Sequence, residues 1–123
     1  MNLDIIFDLL HCDIDVIYGL QNCDNEMHVY EHHLLHFVEN SGFRYLEDMI
    51  NKRDTLQAKN VARLLCACAR KLGATYCFDL LHDMLGCLQN EKWEQIDFLL
   101  VEVKEHLDAI RATLQIYNIQ KAV

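Results

Sequence analysis

The sequence predicts an all-α protein, an antiparallel up-and-down four-helix bundle with a short N-terminal helix. Proline is absent from the 123 residues and only four glycines occur, whereas a sheet-rich chain of this size uses more turn residues. Apolar residues recur at intervals of three and four over long stretches, which is the periodicity of amphipathic helices. The breaks between these stretches are short, so consecutive helices must pack antiparallel in one domain, residues 1–123.

The first half of the chain predicts four helices of short to medium length. Their expected bounds are 3–10, 13–20, 25–40 and 43–50. The second is expected to end near Gly19, and Asp24 or Asn25 is the expected N-cap of the third, since both residue types favour that position. Ser41 and Gly42 interrupt the apolar pattern and separate the third helix from the fourth.

Three longer helices are predicted for the second half, over about 55–72, 75–89 and 91–117. Asp54 or Thr55 is suited to cap the first of these. Gly73 follows it, where a helix end favours a left-handed residue, and Asn90 makes a polar break before the last helix. That last helix carries a coiled-coil-like seam, a pattern typical of bundles. The seam consists of Trp93, Ile96, Leu100, Val103, Leu107, Ile110, Leu114 and Tyr117.

Composition excludes several classes of function. Nineteen acidic and eleven basic residues give a formal charge of −8, which disfavours binding to nucleic acids and to anionic membranes. No apolar run is long enough to span a membrane, and residues 1–4 lack the basic start of a secretory signal. Six cysteines without a C-x-x-C pair are typical of small buried residues in a reducing compartment. We therefore expect a cytoplasmic protein.

Motifs for catalysis are also missing. The chain has no glycine-rich phosphate loop, no G-x-S-x-G and no H-E-x-x-H. We expect a binding protein rather than an enzyme, with no cofactor.

Histidines form the most unusual local pattern. His28, His32 and His36 recur every four residues on one side of the predicted 25–40 helix, while His33 points elsewhere. Two imidazoles one turn apart can bind a transition metal, but without a third ligand they make a weak site. We predict no metal site here and interpret the row as a solvated, protonatable face. His82 and His106 are isolated and are predicted to lie at the surface or in packing contacts.

The 55–72 helix carries a basic outer face. With the core centred on Val61, Leu65, Cys68 and Leu72, Arg63 lies about 200° away around the helix and faces water. The same outer face is predicted to hold Lys59, Cys66 and Arg70, with Lys71 at its margin. An acidic protein with a local basic stripe has a candidate docking surface for an acidic pocket. The alternative is a solvated face whose C-terminal cations interact favourably with the helix dipole.

Residues 62–74, ARLLCACARKLGA, resemble the signature of histidine-containing phosphotransfer (HPt) domains. That signature reads approximately A-H-x-L-K-G, five further residues, and G-A. Ala62, Leu65, Gly73 and Ala74 match it at the right spacing. The stretch 20–37 is similar to the family's preceding helix, and the amphipathic pair after Gly73 is similar to its closing hairpin. The resemblance implies an HPt-like four-helix bundle that works in phosphorelay, or two-component, signalling.

The departures from the signature change the expected function. Arg63 occupies the position of the phosphorylated histidine, Cys66 that of the lysine and Ala67 that of the glycine. A guanidinium stays protonated and offers no lone pair, so it cannot accept a phosphoryl group. The resemblance then implies a module that only binds its partner, a response-regulator receiver domain or a histidine kinase. The expected partner-binding residues are Lys59, Arg63, Cys66, Ala67 and Arg70.

Two alternatives stay open at this stage. One is an active phosphotransfer protein that uses a displaced histidine among His28, His32 and His36. The other is a structural helical protein, a homodimer through the 93–117 helix, in which the resemblance is accidental.

Overall fold

The structure, a computed structural model, describes residues 3–39 and 42–117, which form seven helices joined by short turns. The helices are α1 Leu3–His11, α2 Val16–Gln21, α3 Met27–Glu39, α4 Gly42–Asn51, α5 Thr55–Leu72, α6 Thr75–Gln89 and α7 Trp93–Ile116. The described residues contain no strand; Ile14 and Ala74 form one isolated β-bridge between the α1–α2 and α5–α6 turns. The all-α prediction is confirmed.

Helices α5, α6 and α7 pack side by side in chain order, since two-residue and three-residue turns force neighbours to run antiparallel. Helix α4 contacts α5 and α7, and α3 contacts the same two helices, so the helices enclose a common core. The N-terminal pair packs on this bundle from outside: α1 lies against α7, and α2 lies against α5 and α3. A helical bundle is therefore the observed architecture.

Helix ends agree with the sequence in the second half of the chain and differ in the first. Asp54 is the N-cap of α5 and accepts a hydrogen bond from the backbone N–H of Gln57. By contrast, α3 begins only at Met27, and the predicted caps Asp24 and Asn25 are wrong. Both adopt left-handed conformations, with φ of 54° and 58°. Asp and Asn tolerate this region because their short polar side chains bond locally.

Two further helix boundaries in the first half of the chain involve Gly19 and Ser41. Helix α2 ends at Gln21, close to the expected end near Gly19, but Gly19 itself lies inside the helix. The backbone of α2 passes so close to α3 and α5 there that a Cβ atom would overlap the Tyr30 ring and the Leu72 carbonyl oxygen. Gly19 thus permits a close approach instead of ending a helix. Ser41 lies outside the described residues, and α4 begins at Gly42.

The C-terminal end of α5 is closed by a left-handed glycine, as predicted. Gly73 has φ of 77° and its N–H reaches back to the carbonyl of Arg70 at 3.2 Å. The next N–H, that of Ala74, bonds the carbonyl of Ala69 at 2.9 Å. These bonds satisfy two of the carbonyls that a helix end leaves without intrahelical partners.

The N-terminal part of the chain supplies donors for the last three carbonyls at this end. The Asn22 side-chain amide donates to Lys71 at 2.8 Å, the Tyr30 hydroxyl to Leu72 at 2.8 Å, and the Asp15 N–H to Gly73 at 2.7 Å. Burial raises the pKa of Tyr30, which keeps its hydroxyl protonated as a donor. Three separate segments before residue 31 are therefore fixed to the end of α5.

The buried face of α5 differs from the expected one. Small residues form most of the face: the buried set is Ala58, Ala62, Leu65, Cys66, Ala69 and Leu72. At about 100° per residue this face is rotated by about 60° from one centred on Val61, Leu65, Cys68 and Leu72. Cys68, which the sequence predicted to lie inward, is exposed, and Leu64 is 69% exposed.

The seam of α7 is confirmed with its predicted residues, all of which are buried or half-buried. His106 joins it as a buried histidine. Its ring packs edge-on against the ring of Tyr76 in α6, with centroids 5.0 Å apart. Nε2 of His106 is buried and has no hydrogen-bond partner among the described residues. Burial lowers the pKa of His106, although the nearby Asp13 carboxylate acts in the opposite direction.

Replacing Gly73 by alanine is expected to lower the free energy of unfolding by at least about 2 kcal/mol, as judged from the cost of left-handed backbone for a non-glycine residue. The added Cβ would also overlap the Asp15 carbonyl oxygen. Gly86→Ala is the matched control, because Gly86 lies inside α6 and its Cβ would meet no atom within 4 Å. This variant is expected to gain about 0.5–1 kcal/mol. Equal effects of the two substitutions in urea unfolding would contradict the assigned end of α5.

His106 is expected to make stability depend on pH. Because its folded-state pKa lies below the ordinary value of 6.5, its contribution is complete above about pH 6.5 and is lost as the pH falls below that value. His106→Phe keeps the aromatic contact with Tyr76 and removes the titrating group. Urea unfolding between about pH 7 and about pH 5 should show a weaker decline for the variant than for the parent protein. Parallel curves would contradict a buried neutral imidazole.

Candidate functional site

A surface groove runs between α2, α5 and α6 and has a volume of about 500 Å³. Nine residues line it: Tyr18 from α2 and Asn22 from its C-cap, Arg63, Cys66, Ala67, Arg70 and Lys71 from α5, and Phe78 and Leu85 from α6. Four of the five residues predicted to bind a partner therefore lie together. The fifth, Lys59, is half-buried one helical turn before Arg63 and does not line the groove.

The two arginines give the groove its positive charge. Arg63 and Arg70 are exposed, and the side chain of neither forms an ion pair or a hydrogen bond with another described residue. Two other arginines form ion pairs within the protein. Arg53 pairs with Asp97 through two hydrogen bonds of 3.0 and 3.1 Å, and Arg111 pairs with Asp108 at 2.6 Å. The forked donors of Arg63 and Arg70 thus remain free for an external anion.

Cys66 does not lie on the outer face, and that prediction was wrong. Its side chain is only 6% exposed, because the core face of α5 includes position 66. The thiol lies 3.8 Å from the carbonyl oxygen of Phe78, and burial raises its pKa. Cys66 therefore contributes a neutral, apolar part of the groove floor rather than a contact for a charged partner.

The floor and the far wall of the groove are largely apolar. Phe78 and Leu85 are half-buried, seven residues apart on α6, and Ala67 leaves the space beside Arg63 open. Sequence reasoning missed Phe78, Leu85 and Tyr18 as site residues. Phe78 and Leu85 form a second apolar row on α6 beside its main buried row, and this row was the sequence pattern that could have predicted them. Tyr18 reaches the groove through the packing of α2 on α5, a long-range contact that no local sequence pattern predicts.

A second opening continues the groove toward the start of α6. It shares Tyr18, Arg70 and Phe78 with the first and adds carboxylates at Asp15 and Asp79. Arg70 therefore lies between a basic section, where Arg63 and Lys71 are found, and an acidic one. The carboxylates make this end of the groove less favourable for an anion than the section around Arg63.

The histidine row lies on the exposed side of α3, as predicted for His28, His32 and His36. The rings of His32 and His36 stack with centroids 6.4 Å apart, and those of His32 and His33 are 5.9 Å apart. Over residues 3–39 and 42–117, no group of three or more His, Cys, Asp or Glu side chains is arranged to hold a metal ion.

His33 points toward α5. Together with His36, Cys68 and Lys71 it lines a small cavity of about 130 Å³, whose apolar part is formed by Phe37 and Leu72. Partial burial lowers the pKa of His33, and the nearby ammonium of Lys71 and the neighbouring His32 and His36 act in the same direction.

Comparison with models of protein families, with curated proteins and with solved structures gives no match for this chain. Within the described part of the chain, none of the helices combines the length and the apolar character needed to cross a lipid bilayer.

The orientation of the cysteines on α5 can be tested by thiol labelling. Cys68 is exposed, whereas Cys66 and Cys77 are buried and burial raises the pKa of both, that of Cys77 to about 12. Cys68 should therefore give the fastest phase of labelling of the folded protein. We expect Cys68→Ser to remove that phase and Cys66→Ala to leave it unchanged. The reverse result would place Cys66 outside, as the sequence alone had indicated.

Proposed function

We propose that the protein is an HPt-like docking module that binds the acidic phosphorylation pocket of a receiver domain and transfers no phosphoryl group. The observation that carries the proposal is the exposed, unpaired side chain of Arg63 in a groove with Arg70. A cation at this place complements the carboxylates that receiver domains gather around their phosphorylated aspartate.

The HPt-like arrangement itself is part of the proposal. It is supported by the packing of α3 and α4 with α5, α6 and α7 around a common core. A second support is the left-handed end of α5 at Gly73, ten residues after Arg63, which is the spacing between histidine and glycine in the HPt signature. A third is the exposure of position 63.

Arginine suits binding for the same reason that it excludes transfer. Its guanidinium holds its charge at any physiological pH and presents parallel N–H donors that match a carboxylate or a phosphoryl group. Ala67, one turn after Arg63, leaves room for a partner to approach, and Phe78 and Leu85 supply apolar area. Charge would orient the partner, while the apolar floor would slow its dissociation.

The alternatives find less support. None of the nine residues that line the groove is a histidine, and His28, His32 and His36 lie on α3, so a displaced phosphoacceptor would work outside the groove. A homodimer through the seam of α7 would need another face of that helix, because the seam is already buried within one chain.

Charge reversal at Arg63 should weaken binding to a receiver domain by at least about tenfold, because an attractive ion pair becomes a repulsive one. The assay is fluorescence anisotropy with labelled receiver domains from the same genome, each measured with and without beryllofluoride as a phosphoryl mimic. Arg44→Glu is the matched control, since Arg44 is exposed on α4 and does not line the groove. The proposal fails if no receiver domain binds, or if both variants bind as the parent protein does.

A further inference from the structure

The basic groove and the small cavity that His33 and His36 line share one residue. Lys71 lines the groove beside Arg63 and Arg70, and it also lines the small cavity that contains His33 and His36. His32 extends this row along α3 through its ring contacts with both. One continuous surface thus leads from permanent cations on α5 to titratable imidazoles on α3.

Charged groups of both signs surround these imidazoles. Helix α5 presents Lys71 and the thiol of Cys68. Helix α7 presents Arg111, whose guanidinium donates to the Val38 carbonyl of α3 and pairs with the Asp108 carboxylate. Helix α2 carries the phenol of Tyr18, and the Asp15 carboxylate caps its N-terminus. On α3 itself the acidic residues are Glu31 and Glu39, both half-buried, and both have partners of their own. The groups that act on the titration of His33 are Lys71, His32 and His36.

We propose that the docking surface extends across Lys71 to His32, His33 and His36, so that an acidic partner binds more tightly as the pH falls toward 6. This inference rests on the proposed docking role of the groove. It adds a partner-covered area on α3 and a regulation of binding by protons.

The physical reason is linkage between two binding events. Free imidazoles near neutral pH are largely uncharged. Partial burial lowers the pKa of His33, and the nearby Lys71, His32 and His36 lower it further. Carboxylates of a partner placed over His32, His33 and His36 would favour the protonated imidazoles. If binding of the partner raises the affinity of the histidines for protons, protonation of the histidines must raise the affinity for the partner by the same factor.

A fluorescein-labelled oligo-aspartate peptide of about twelve residues serves as the probe, because aspartate stays ionised well below the histidine range. The intact protein is titrated with it at about pH 7.5 and about pH 6.0 and at constant salt. We expect the affinity to rise roughly fivefold at the lower pH, as three exposed ion pairs imply. The variant His32→Gln/His33→Gln/His36→Gln should lose this rise. His11→Gln, an exposed histidine on α1, should keep it.

A second readout uses the parent protein alone. The peptide should raise the pKa of the His33 imidazole, as followed by its NMR signals. An equal pH response of the triple variant and the parent protein, or no displacement of the His33 titration by the peptide, overturns the inference.

These results separate the two proposals. If the pH response of peptide binding depends on His32, His33 and His36 but the protein binds no receiver domain, the extended surface is retained and the proposed function is rejected. If binding of a receiver domain depends on Arg63 and the triple variant keeps the pH response of the parent protein, the proposed function is retained and the extension of the surface to α3 is rejected.

Discussion

The closed C-terminal end of α5 is the constraint on which the rest of the structure depends. A helix end leaves carbonyls without partners, and burying them unpaired would cost about 1–3 kcal/mol each. Here the Gly73 turn satisfies those of Ala69 and Arg70, and donors from the N-terminal part of the chain satisfy the next three. The same bonds fix α2 beside α5, and α2 supplies one wall of the groove.

The proposed function rests on the cationic side chains that this arrangement leaves without an internal partner. The protein is acidic overall, with a formal charge of −8, yet the groove holds Arg63 and Arg70 without an internal partner among the described residues. In the proposed function, this local positive field is what directs an acidic partner to the groove, while the acidic remainder of the surface repels it. The apolar floor at Phe78 adds contact area there. The proposed binding without transfer is consistent with this arrangement, since an arginine holds its proton where transfer would need a free imidazole.

The ends of α5 and the seam of α7 could be predicted from local sequence patterns. Asp54 and Gly73 cap α5 at its own ends, and the row from Trp93 to Tyr117 follows the helical period of α7. The face of α5 could not be placed correctly from large residues alone. Alanines at 58, 62 and 69 let the neighbouring helices approach, which turns Cys66 inward and Leu64 outward. Arg63 stayed outside because a rotation of about 60° still leaves it on the far side of the helix. Tyr18 required contacts between residues far apart in the chain.

Phosphoryl transfer from a labelled receiver domain distinguishes binding from transfer, with the parent protein and the Arg63→His variant compared under the same conditions. We expect no acid-labile, base-stable label on the parent protein and such a label on the variant, because the substitution would restore an imidazole at an exposed position. Label on the parent protein would show that another histidine accepts the phosphoryl group, and the proposal of a module that only binds would then be wrong.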